Sequence, residues 1–169
     1  MADVGAPKRV ALMSTVFPNR GPFMSSETSK PDDVYNCFAW AAEKDTLIWW
    51  DHVDRPGHYW PSAVARQHSL AAYQESFAAH GYSLCDSGVP EQGYEKIVFY
   101  ADNSGHATHA AREAPEGGWS SKLGEEEDIW HSAPEVLNGP LYGNASFFMK
   151  RPTKRALRRL FQVMASGLG

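Results

Sequence analysis

The sequence predicts an α+β fold in which a helix near the N-terminal end packs on an antiparallel sheet. Three observations predict it. Residues 37–44 and 62–80 carry helical patterns, residues 95–123 carry short strands divided by turn residues, and a last helical stretch follows Pro152. Helices followed by a run of strands, without β/α alternation, point to α+β rather than to a doubly wound sheet.

Residues 1–31 read as an irregular lead-in, broken by Pro18, Gly21, Pro22 and the polar run Ser25 to Pro31. Asp32, Asp33 and Asn36 are three possible caps for the helix Cys37-Phe38-Ala39-Trp40-Ala41-Ala42-Glu43-Lys44. Trp49 to Pro61 is aromatic and polar, with a turn at Pro56-Gly57. Ser62 can cap a second helix running to about His80. There Ala63 and Val64, Leu70 and Ala71, and Phe77 and Ala78 recur seven apart on one face, and Gly81 suits the C-terminal cap.

The period then changes. Glu95 to Ala101 reads as a strand ending at Asp102-Asn103-Ser104-Gly105, His106 to Glu113 as a second, and Trp119 to Leu123 as a third after the turn Glu116-Gly117-Gly118. Together they form an antiparallel meander. Glu125 to Trp130 reads as a short acidic helix or turn, and Ala145 to Lys150 as a last strand. Thr153 caps a terminal helix with Leu157, Leu160, Phe161 and Met164 inward. Its basic side, with Lys150, Arg151, Lys154, Arg155, Arg158 and Arg159, is read as solvated or as paired with Glu125 to Asp128. The organisation is a single domain over 1–169: lead-in 1–31, core 33–123, and a C-terminal elaboration 124–169.

Composition limits the function. The 169 residues hold 16 Lys+Arg against 20 Asp+Glu, a formal charge of −4, with 43% apolar and 21% charged residues. That is a globular balance; it excludes a disordered chain, a generally basic nucleic-acid binder, and collagen-like or disulfide-scaffold proteins. No apolar run approaches the ~20 residues that span a bilayer, so no membrane insertion is expected. Met1 to Arg20 lacks the layout of a secretory signal, which points to a chain made in the cytoplasm, with signal-independent export as the route out. The two cysteines, Cys37 and Cys85, are read singly.

Cys37 is the candidate nucleophile. Capped by Asn36 or Asp33, its sulfur lies in the first turn of a helix. Unpaired N–H groups and the helix dipole there favour an anion and are expected to lower the thiol pKa. The same groups suit a developing oxyanion, with Asn36 or Tyr35 adding a donor. His109 is the candidate base: period-two alternation sets Ala107, His109 and Ala111 on one face, with small neighbours leaving room for a helix terminus. Ser121, twelve residues on, is the candidate orienting group, with Ser120, Asp128 and His131 as alternatives. Trp40, Trp50 and Trp60 are candidate walls of a substrate groove, within an aromatic cluster that equally suits a core. A metal site would draw on His52, His58, His106, His109 or His131 with Asp51 or Asp54. No compact ligand spacing appears, so neither metal nor cofactor is expected.

A helix-start cysteine, then a histidine on a strand, then a polar residue on the next strand resembles the papain-like fold, particularly its NlpC/P60 branch. Tyr35-Asn36-Cys37-Phe38-Ala39-Trp40-Ala41 is similar to the nucleophile helix of that group, and Thr108-His109-Ala110-Ala111 to its base strand. The likeness covers about residues 33–123. The chain also resembles small bacterial proteins sharing an Asn-Cys-Phe-Ala-Trp-Ala start and a segment like Trp119 to Gly124. NlpC/P60 enzymes usually carry Asp-Cys-Ser where this chain has Asn36-Cys37-Phe38, and His, Asn or Gln where it has Ser121.

The resemblance implies a cysteine hydrolase cleaving an amide, of the kind found in cell-wall amidases, endopeptidases and toxins delivered into rival cells. The same residues suit a glutamine deamidase or transglutaminase-like effector, and the scaffold alone suits a catalytically silent binding module. Expected partners are a peptide or peptidoglycan substrate and an inhibitor or immunity protein, without nucleic acid. The chain is expected to be a monomer.

Overall fold

The structure is a computed structural model that describes residues 15–19, 21, 25–44, 48–49 and 58–166. Nine strands are described: β1 Ser25–Glu27, β2 Ile48–Trp49, β3 His58–Tyr59, β4 Ser83–Cys85, β5 Tyr94–Ala101, β6 Ala107–Glu113, β7 Trp119–Lys122, β8 Asp128–His131 and β9 Asn144–Pro152. The α-helices are α1 Cys37–Ala41, α2 Leu70–Ala78 and α3 Lys154–Ser166, with a 3-10 turn at Pro134–Leu137. Seven strands form one antiparallel sheet in the order β1-β8-β7-β6-β5-β9-β4, and β2 pairs with β3 in parallel. The protein is mixed α+β on a mostly antiparallel sheet.

β5 shows why the sheet is central. Ile97, Val98, Phe99 and Tyr100 are all buried, so both faces of the strand are covered. Phe99 and Ile97 join Phe38, Tyr73 and Phe77 in the core beneath α1 and α2, whereas Val98 and Tyr100 join Phe17, Trp119, Leu137 and Tyr142 on the opposite face. Phe38 stacks on Tyr73 at 4.1 Å between ring centroids, fastening α1 to α2.

The meander β5-β6-β7 agrees with the sequence expectation. Several details differ. The helix expected over 62–80 begins at Leu70, because the Ser69 side chain caps the Ala72 amide while Trp60 and Val64 close a separate turn. Gly81, at φ +86°, ends the helix as expected. Glu125 to Trp130 is a turn followed by strand β8, with Ile129 buried. Ser25–Glu27 pairs with β8, so the lead-in supplies an edge strand. β9 adds to the meander at β5, with β4 beyond it, and β8 adds at β7, so residues past 123 supply two of the seven strands.

Thr153 caps α3 as expected, its Oγ1 accepting from the Ala156 amide. The inward apolar face does not form: no residue of α3 is buried, and Phe161 is 67% exposed. Nor does the helix pair with Glu125 to Asp128; Lys154 meets Glu43 at 3.1 Å, and Arg151 bonds Glu43 and Glu95.

Candidate active site

Asn36 sets the start of α1. In an extended conformation, it accepts at Oδ1 from the Ala39 and Trp49 amides, both at 3.1 Å, and donates from Nδ2 to the Trp49 carbonyl at 2.6 Å. The carboxamide thus caps the helix and clips it to β2 at once. Tyr35 donates to Asp128 Oδ2 at 3.0 Å and stacks on Trp40. Both side chains expected to offer an oxyanion donor are turned to other partners. Trp40 donates to Ser120 Oγ at 3.1 Å, and the Arg112 guanidinium lies 3.6 Å over its ring and bonds its carbonyl. Trp60 is buried edge-on against Tyr73, a core contact rather than a groove wall. Trp50 lies outside the described residues.

These contacts place Cys37 at the first position of α1, buried against β6. Amides of Ala110, Phe38 and Cys37 itself point at the sulfur, and Lys122 adds a positive charge; each favours a thiolate. Burial outweighs all of them and pushes the thiol up to about 11. The lowered pKa expected from the helix start is therefore overturned: local dipoles are present, but the surroundings are dry. Cys85 is half-buried and donates to the Ser87 carbonyl.

His109, Ser121 and His131 are all fully buried and form one chain of hydrogen bonds. His109 Nε2 meets Ser121 Oγ at 3.0 Å, and Ser121 Oγ meets His131 Nε2 at 2.9 Å. His131 Nδ1 meets the Ala133 carbonyl at 2.8 Å. A carbonyl only accepts, so His131 carries its proton on Nδ1 and accepts at Nε2. Ser121 must then donate to His131 and accept from His109 Nε2–H. The chain fixes the His109 tautomer and leaves a lone pair on Nδ1, which has no hydrogen-bond partner among the described residues. Burial lowers His131 to about 4, and burial with the neighbouring His131 holds His109 well below the ordinary histidine value. Both rings are neutral.

The expected thiol–imidazole hydrogen bond is not made. A bulge opposite Tyr100 and Ala101 skips Thr108, so Ala107 and Ala110 pack with Cys37 while His109 lies against Tyr100 and Tyr142. The expected common face of Ala107, His109 and Ala111 is thereby split. Cys37 and His109 approach through the backbone of Ala110, the residue after the histidine. Tyr142 covers the imidazole, its ring stacked at 4.0 Å and 8°. It is also near enough to Cys37 that a thiolate would raise its own pKa. Sequence reading passed over Tyr142; the signal was an aromatic in the turn Gly139-Pro140-Leu141-Tyr142-Gly143.

A cavity of about 350 Å³ is lined by Glu43, Tyr82, Arg112 and Glu113, and one of about 500 Å³ by Gly88, Trp119, Pro134 and Phe148; neither is lined by Cys37, His109 or Ser121. Among the described residues no group of three or more His, Cys, Asp or Glu side chains could hold a metal ion. No helix among them is long and apolar enough to cross a membrane.

No curated protein and no solved structure matches this chain. Residues 26–150, spanning Asn36, Cys37, His109, Ser121, His131 and Tyr142, match the model of a family described as a domain of unknown function (DUF7689), and the chain belongs to that family.

Proposed function

We propose that the protein is a papain-like cysteine hydrolase of the NlpC/P60 kind, cleaving an amide through Cys37 and His109. The observation that carries this reading is the buried Nδ1 of His109, given a lone pair by the Ser121–His131 chain and left without a partner. An unpaired buried acceptor costs free energy, and function is one reason a fold retains it. The Cys37 sulfur faces three amide donors, one of them from Ala110, the residue after His109, and such donors suit a thiolate and an oxyanion.

With the thiol up at about 11 and the imidazole held low, the resting pair is neutral. In this route the proton passes to His109 Nδ1 as the sulfur attacks, after a rearrangement about Ala110 that brings the two side chains within hydrogen-bond reach. The carbonyl carbon gains a bond to sulfur, its C–N bond breaks, and the leaving amine takes the proton from the imidazolium. Water, deprotonated by the same imidazole, then releases the acid from the thioester. Peptidoglycan stem peptide is the substrate the resemblance favours.

Burial of Cys37 at 7% exposure favours a second reading, a catalytically silent papain-like module. Resting-state thiol labelling would be slow under either reading. Turnover separates them. Wild type incubated with purified peptidoglycan should release fragments seen by mass spectrometry, and Cys37→Ala should release none. Absence of fragments from both proteins supports the silent module.

A further inference from the structure

α3 divides cleanly around its axis. At 100° per residue, Leu157, Leu160, Phe161, Val163 and Met164 fall with Ala156 within an arc of about 160°, and Lys154, Arg155, Arg158 and Arg159 share the rest with Gln162, Ala165 and Ser166. Among the described residues the apolar arc finds no core: its side chains are 39% to 68% exposed. Charge is divided as sharply. Residues 150–169 hold six of the 16 basic residues and none of the 20 acidic ones, leaving 10 basic against 20 acidic in the other 149.

We propose that α3 is a docking helix for an anionic phospholipid surface, lying in the plane of the interface with its apolar arc among the acyl chains. An apolar face rich in Leu and Phe opposite a cationic one is the pattern that binds there. The flanks of the arc decide between this surface and a second copy of the chain. Lys154 adjoins Phe161 on one border of the arc, and Arg159 adjoins Val163 on the other. Two α3 helices packed apolar face to apolar face would crowd these cations with Arg155 and Arg158, and although Glu43 meets Lys154 no carboxylate in either helix pairs the arginines. Headgroup phosphates supply anions on both borders, for Arg159 outright and for Lys154 alongside the Glu43 carboxylate it already meets. The acidic remainder of the chain is repelled by the same surface, which leaves α3 as the contact. This inference is independent of the chemistry proposed for Cys37.

The full chain should sediment with vesicles of phosphatidylcholine containing about one-third phosphatidylglycerol, and much less with phosphatidylcholine alone. Raising salt from about 0.1 M to about 0.5 M should release it. Arg155→Ala, Arg158→Ala and Arg159→Ala together should weaken partitioning about a hundredfold, the loss of three headgroup-facing cations. Leu160→Ser with Phe161→Ser should weaken it at least about tenfold. Because no α3 residue is buried, both variants should keep the wild-type thermal midpoint. Equal binding to neutral vesicles, or no binding to the anionic ones, overturns the proposal. So does self-association abolished by Leu160→Ser with Phe161→Ser in a protein that ignores vesicles, which assigns the face to a second copy.

Discussion

His131 shows how much of a site one buried ring can govern. Its Nδ1 is committed to a carbonyl, its Nε2 to a hydroxyl, and the consequence is felt two side chains away as the tautomer of His109. The same burial gives the fold a pH dependence of known sign. His131 titrates near 4 when folded and near 6.5 when unfolded, so between those values the unfolded chain binds a proton that the folded chain does not. Stability is full above pH 6.5 and falls as pH drops toward 4, by about 3 kcal/mol over the whole window. His109 shifts in the same direction and adds to the slope. Urea titrations at pH 7 and pH 5 should therefore show a large loss for wild type and a smaller one for His131→Gln, and equal losses would contradict the assignment. At this scale the contact between His109 and Ser121 was legible from residue type and order. The state of the thiol was not. A helix-start argument counts local dipoles, whereas the pKa is decided by Tyr35, Phe38 and the strand packed over the sulfur, which only the tertiary fold brings in.

The elements are tied by short connections that tolerate little change. Gly143, at φ +70°, lies where an added Cβ would fall 1.8 Å from the Ala101 carbonyl, at the turn that carries Tyr142 into β9. Gly143→Ala should cost about 3 kcal/mol or more by denaturant titration. Gly81 is also left-handed but has nothing within 4 Å, so Gly81→Ala should cost about 1 kcal/mol. Similar losses in the two variants would show that backbone strain, not the close approach, sets the effect. The meander was legible because Asp102 to Gly105 and Glu116 to Gly118 punctuate it. The bulge at Thr108 was not, since alternation alone assumes an unbroken period of two; that single skipped residue places His109 on the Tyr142 side. The three glutamates before β8 suggest a helix or turn, yet Ile129 pairs with Ser121 eight residues back across a hairpin, which hides the strand behind an acidic turn.

Across the whole molecule, an acidic α+β body built on one sheet carries a cationic helix on its outside. Sequence patterning gave that helix the right cap and the right faces. It placed the apolar face inward because amphipathic helices usually find a core, and here β4 and β9 already close that edge of the sheet. The body holds a buried thiol in the core under α1 and a neutral imidazole under Tyr142, linked through the Ala110 backbone, and the proposal is that an acyl group passes through that sulfur. Mass spectrometry of the Cys37 peptide, after wild type is mixed with muropeptides and quenched in acid, tests this directly. A thioester on Cys37 gives a mass increase equal to the acyl portion of the substrate, absent in Cys37→Ala and formed at least about a hundredfold more slowly in His109→Ala. Fragment release with Cys37 unmodified, or release undiminished in Cys37→Ala, would contradict it.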